Sequence, residues 1–182
     1  MQPMNIYRSL RILIGVCGIS LSLSAADLPR LDSHLEPLRP WLDKTWKSQP
    51  KNPKGGKATT DVTRWERALN GNAIRILHSI NDGAYGGEAI VRWDEKKQAV
   101  VYDYFTTASF TTAGTMTFKD GKILTHEVVT GDADGVSEVR GIFEINPDGT
   151  FQKSTESLKN GAWQPATETT YREDPSAVVV FK

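Results

Sequence analysis

The chain of 182 residues contains one cysteine, Cys17, so neither an internal disulfide nor a thiolate pair for a metal can be drawn from it. Its three histidines, His34, His78 and His126, lie too far apart for a His-x-His or His-x3-His pair, and no metal site is expected. No apolar run approaches the ~20 residues that a membrane-spanning helix needs. An excess of charge is missing too: 22 basic residues balance 22 acidic ones, which excludes an electrostatic nucleic-acid binder. There is no nucleophile elbow, no glycine-rich phosphate loop and no evident carboxylate pair. Asp132 and Asp134 resemble the start of a calcium loop, but Gly141 stands where the bidentate acid belongs, which leaves a hairpin turn. Neither a catalytic residue nor a cofactor is assigned on this basis.

What the sequence does carry begins at its start. Arg8 and Arg11 precede an apolar stretch over 12–23 and then Ser24, Ala25 and Ala26, the order of a cleavable secretory signal. Residues 1–26 are therefore expected to be a signal peptide and 27–182 one mature domain, located in the periplasm or outside the cell. Cys17 lies in the apolar core of that signal as a small filler, so the mature chain has no thiol. Cleavage also removes two arginines, leaving 20 basic residues against 22 acidic ones.

Leu31, Leu35, Leu38 and Leu42 repeat every three to four residues, and Ser33 with Glu36 has capping-box spacing, so a short helix limited by Pro40 is predicted. Beyond it the pattern is β. Asn70-Gly71, Asn81-Asp82-Gly83, Asp120-Gly121, Asp134-Gly135, Pro147-Asp148-Gly149 and Asn160-Gly161 supply residues that tolerate positive φ at hairpin corners. Between these corners the strands are predicted at 45–49, 59–67, 73–80, 88–93, 99–105, 112–118, 123–130, 136–145, 151–158 and 163–172. An all-β, antiparallel up-and-down meander of about ten strands should close into a barrel to remove its edges.

Alternation indicates the inner faces. Ile74, Ile76, His78 and Ile80 share one face, as do Trp163, Thr167, Thr169 and Tyr171, while Thr115 and Thr117 are read as inward-facing. Eight strands are just filled by their own side chains, so ten leave room for a small ligand. The stretch 50–57, with three lysines, is read as a solvated loop, and the apolar tail 178–182 as an added strand or as packing on the barrel.

The segments Pro40-Trp41-Leu42-Asp43-Lys44-Thr45-Trp46, Leu69-Asn70-Gly71, Gly161-Ala162-Trp163 and Glu168-Thr169-Thr170-Tyr171-Arg172 resemble a large family of secreted bacterial lipocalin-like domains of the calycin superfamily. Lys44 replaces the glycine usual two residues before the first-strand tryptophan. The resemblance implies a structural contact in which the Arg172 guanidinium packs across Trp46 and closes one end of the barrel. A haem-binding branch of related barrels places its axial histidine on a late strand; Ala166, Thr167 and Glu168 stand there, and haem is not expected.

Residues that combine aromatic bulk with a polar tip near the expected lumen are Trp65, His78, Tyr104, Arg140 and Tyr171, the candidate ligand-binding set. The leading expectation is a binding module for a small, partly apolar ligand, with no nucleic-acid partner and no stable membrane insertion after cleavage. An isomerase or cyclase using His78 or Glu168 is one rival. A protein-interaction domain with a filled core and an apolar patch around the tail is the other.

Overall fold

The computed structural model describes residues 29–50 and 58–182. The signal expected over 1–26 and most of the lysine-rich loop, 51–57, lie outside the described residues.

Tight corners decide the architecture. Asn70, Asn81, Asp82, Asp120, Asp134 and Asn160 all adopt positive φ, as do the glycines that follow five of these corners, and each corner reverses the chain. Between them run β1 (Lys44–Ser48), β2 (Asp61–Ala68), β3 (Ala73–Ile80), β4 (Tyr85–Asp94), β5 (Ala99–Thr106) and β6 (Phe110–Lys119). The second half comprises β7 (Lys122–Gly131), β8 (Val136–Ile145), β9 (Phe151–Lys159), β10 (Ala162–Trp163) and β11 (Thr167–Glu173). Every pairing is antiparallel; β1 to β9 pair in sequence, β9 pairs with β11, and β11 returns to β1. Ten strands thus close a barrel, and β10 is appended to β9 as an extra two-residue strand. The single strand predicted over 163–172 is divided because Pro165, in the break between β10 and β11, has no amide to donate to a ladder.

The N-terminal element is a 3-10 helix, Ser33–Trp41, where a helical repeat of three to four residues was predicted. Two prolines, Pro37 and Pro40, remove amides from its interior, and the tighter winding places Leu35, Leu38 and Trp41, three residues apart, in one stripe. Its cap is Asp32, whose carboxylate accepts the His34 amide at 2.9 Å, so the Ser33 capping box does not form. That stripe is buried and plugs one end of the barrel against Trp46, Trp65, Ile74, Val91 and Phe151. On its outer side the His34 ring stacks on Trp93 at 3.8 Å.

The plug is held by the β2–β3 corner. Asp32 donates its amide to the Gly71 carbonyl at 2.8 Å, and Arg67 donates to the Arg30 carbonyl at 3.2 Å. The tail 178–182 packs on the barrel without adding a strand: the Val180 amide donates to Ser79 Oγ at 3.0 Å, and Phe181 lies against Gly86.

The arginine expected to close the barrel does not reach its tryptophan. Trp46 is 1% exposed and faces inward, whereas Arg172 pairs in register with Lys47 and is exposed on the outer wall. Strand alternation puts Tyr171 inside and therefore Arg172 outside. Thr115 and Thr117 are likewise exposed on the outer face; Thr112, Met116 and Phe118 occupy the inner face of β6.

Candidate functional site

Above the plug the barrel encloses a cavity of about 320 Å3 that meets a wider mouth of about 550 Å3. Tyr85, Tyr104, Glu127, Val139 and Thr155 line both spaces and form the throat between them. The cavity floor is aromatic, with Trp65, Phe151 and Tyr171 below. The indole Nε1 atoms of Trp41, Trp46 and Trp65 are buried and lack a hydrogen-bond partner among the described residues.

The upper walls are polar, and their polar groups are joined. Asp61 on β2 sits at the centre of one network: Tyr171 donates its hydroxyl to Oδ2 at 2.9 Å, and His78 Nδ1 lies 3.2 Å from Oδ1. The other ring nitrogen of His78, Nε2, is 2.5 Å from the Tyr104 hydroxyl, which in turn is 3.1 Å from that of Tyr85. Alternation along β2 and β3 brings this about: Asp61, Thr63 and Trp65 face in on one strand, Ile76, His78 and Ile80 on the next. Glycine makes the room, since a Cβ on Gly87 would stand 2.4 Å from the Tyr104 ring.

Burial alone would raise the Asp61 carboxyl. The hydrogen bond and charge of His78, the charge of Lys153 and the Tyr171 hydroxyl outweigh it and hold the group below the ordinary carboxylate range. Burial pushes the hydroxyls of Tyr102, Tyr104 and Tyr171 up, so they act as neutral phenols.

A second acid enters from β7. Glu127 accepts a short hydrogen bond from the Thr112 hydroxyl, and its carboxyl is raised by burial, against the opposing pull of Thr112 and Lys153. A carboxyl raised in the fold is harder to ionise there than in the unfolded chain. Its destabilising effect is absent well below the ordinary value of 4.5, where both states hold the proton, and grows as pH rises through the higher folded value. Replacing Glu127 by glutamine is therefore expected to raise the melting temperature at neutral pH and to do so progressively less as pH falls towards 4.5. Paired melts at about pH 7.5 and pH 4 decide it; an equal gain at both would show that ionisation is not the cause.

Of the residues singled out from the sequence, Trp65, His78, Tyr104 and Tyr171 are brought together around this cavity. Arg140 is not. It projects from the outer face of β8, where it pairs with Glu156 at 3.1 Å and its guanidinium lies 3.6 Å from the centre of the exposed Trp163 ring. Glu168 is exposed and accepts from Gln152 at 2.5 Å, and His126 contacts Glu138 at 2.8 Å on the outer wall. Asp61, Tyr85, Glu127 and Lys153 escaped the sequence reading. Alternation with Ile123 and Thr125 could have placed Glu127 inside, whereas Tyr85 was hidden because Gly86 and Gly87 read as a loop before a strand that starts at Tyr85.

No protein-family model matches the chain, and no curated protein matches it significantly.

Proposed function

We propose that this chain is an exported lipocalin-like barrel of the calycin type that holds a small, partly apolar molecule in its lumen. The observation that carries the reading is the continuous space from mouth to plug, aromatic below and hydrogen-bonding above. That division suits a ligand with an apolar body and a polar end, and a pocket of this size is in the range that encloses small molecules. The signal-like order of residues 1–26 supports export, and the strand meander supports the kinship.

Titrating the protein with a panel of fatty acids, aromatic alcohols and terpenoid-sized apolar molecules should quench or shift tryptophan fluorescence, because Trp65 lies at the cavity floor. Thr155 lines the throat, so Thr155→Phe should weaken that binding roughly tenfold or more without unfolding the barrel. A flat response to every class, confirmed by calorimetry, would remove the reading.

One observation favours a second reading, an isomerase- or cyclase-type enzyme: a histidine joined to a buried carboxylate inside a ligand-sized cavity. Under it, a molecule incubated with the protein is recovered rearranged, and His78→Gln abolishes the rearrangement. Ligand recovered unchanged from the wild-type protein counts against this and leaves the binding reading intact.

A further inference from the structure

The hydrogens of the lumen network can be placed one at a time. An ionised carboxylate offers only lone pairs, so both groups that touch Asp61 must donate to it. Tyr171 gives its hydroxyl hydrogen to Oδ2, and His78 gives an Nδ1 hydrogen to Oδ1. A neutral imidazole has one such hydrogen, which leaves Nε2 as an acceptor. Tyr104, 2.5 Å away, must then donate to Nε2. With that hydrogen used, the 3.1 Å contact between Tyr85 and Tyr104 requires Tyr85 to donate. Every hydrogen in the chain points towards Asp61. The oxygens of Tyr104 and Tyr85 are left at the throat with lone pairs and no hydrogen to offer.

We propose that this hydrogen-bond polarity makes the lumen select apolar molecules that carry a hydrogen-bond donor, a hydroxyl or an amide N–H, over otherwise identical molecules that can only accept. The donor of the ligand sits at Tyr85 and Tyr104, and its body occupies the aromatic space above Trp65. This selectivity rests on the ligand-binding reading of the same cavity. The order belongs to an ionised Asp61 beside a neutral His78, since an imidazolium would donate from both ring nitrogens. At these two oxygens a ligand that can only accept has to bring its lone pairs against theirs, or break the chain to free a hydrogen, and a buried polar contact left unmade is heavily disfavoured. Lys153 and Thr155 also line the space and can donate, so the selectivity belongs to a polar end seated on Tyr85 and Tyr104.

The test is calorimetric titration of the purified protein at about pH 8, with the protonation of His78 read from its nitrogen-15 shifts. The probes are 2-naphthol, 2-methoxynaphthalene and naphthalene, which share a ring system and differ in donor capacity. 2-Naphthol is expected to bind roughly tenfold tighter than 2-methoxynaphthalene. Asp61→Asn keeps the shape but presents a carboxamide N–H to His78 Nδ1. The ring hydrogen then moves to Nε2, Nε2 donates to Tyr104, and the Tyr104 hydroxyl hydrogen is released to the lumen. In that variant the preference for 2-naphthol should shrink to within about threefold or reverse.

Nitrogen-15 shifts of His78 read the tautomer directly and should show hydrogen on Nδ1 in the wild-type protein. Equal affinities for 2-naphthol and 2-methoxynaphthalene in the wild type overturn the selectivity while leaving the lumen a binding site. A wild-type His78 with its hydrogen on Nε2 overturns it as well, and needs no variant to fold. If none of the three probes binds, naphthalene included, the ligand-binding reading falls and the selectivity with it.

Discussion

Replacing Phe151 by alanine is expected to lower the free energy of unfolding by about 3–5 kcal/mol, the range for emptying a large aromatic from a packed core. Phe151 is 2% exposed and its ring meets five others, those of Trp41, Trp46, Trp65, Phe143 and Tyr171. It is the place where plug, first strands and last strand converge. Little can collapse into the gap, because the indoles around it are fixed by their own neighbours and the space above is already open. In a domain of this size the loss corresponds to a fall in melting temperature on the order of 10 °C. Arg172→Ala makes the contrast, because the exposed guanidinium carries no load in the core, and a change within about 0.5 kcal/mol is expected. Denaturant midpoints measure both. A Phe151→Ala protein that melts within a few degrees of the wild type would show that the aromatic cluster does not organise the core.

The second large effect is expected at Gly71. Its φ is +88°, and a Cβ there would stand 2.1 Å from the carbonyl oxygen of Arg30, a backbone atom that cannot swing aside. Alanine at this position incurs the left-handed cost of about 1–2 kcal/mol and then the collision. The collision falls on the segment that leads into the plug, because Asp32 is tied to the same glycine's carbonyl. Gly71→Ala should therefore lift the helix off the barrel floor, expose Leu35 and Leu38, and cost on the order of 2–4 kcal/mol in total. Gly121 supplies the internal comparison: its φ is +74°, yet a Cβ would meet nothing within 4 Å, so Gly121→Ala carries only the backbone cost. Thermal melts, with binding of a hydrophobic dye to report the uncovered floor, separate the two. If Gly71→Ala proves no worse than Gly121→Ala, docking at Arg30 is not what holds the plug.

Corners were the most legible part of the sequence. Asn-Gly and Asp-Gly pairs need positive φ and little else, so their reading depends on no distant contact, and they appear where expected. The inner face of β3 was readable for a similar reason, since period-two alternation is local. On β6 the same rule would have chosen Phe110, Met116 and Phe118 over Thr115 and Thr117, so that error lay in weighting threonine and not in the residues. Arg172 shows two arguments in conflict. Alternation already set it opposite Tyr171, whereas the family resemblance set it against Trp46, and alternation prevailed. The lumen network was out of reach for another reason. Asp61, His78, Tyr104 and Tyr171 come from four strands, and their meeting depends on register and closure around the whole ring, which no local pattern encodes. Tyr171 and Asp61 are 110 positions apart in the chain.

That distance bears on how the molecule is made. The seam between β1 and β11 joins the first to the last strand of the described residues, so a polypeptide emerging amino end first cannot seal its cylinder until β11 has arrived. Before then β1 waits with one side unpaired, and the growing sheet offers its own free margin to any neighbour. Contacts of such long range are slow to form, and a barrel interrupted even a few residues short of Thr167 has no means of hiding either margin. Shortened products of this chain are accordingly expected to associate with one another before they fold.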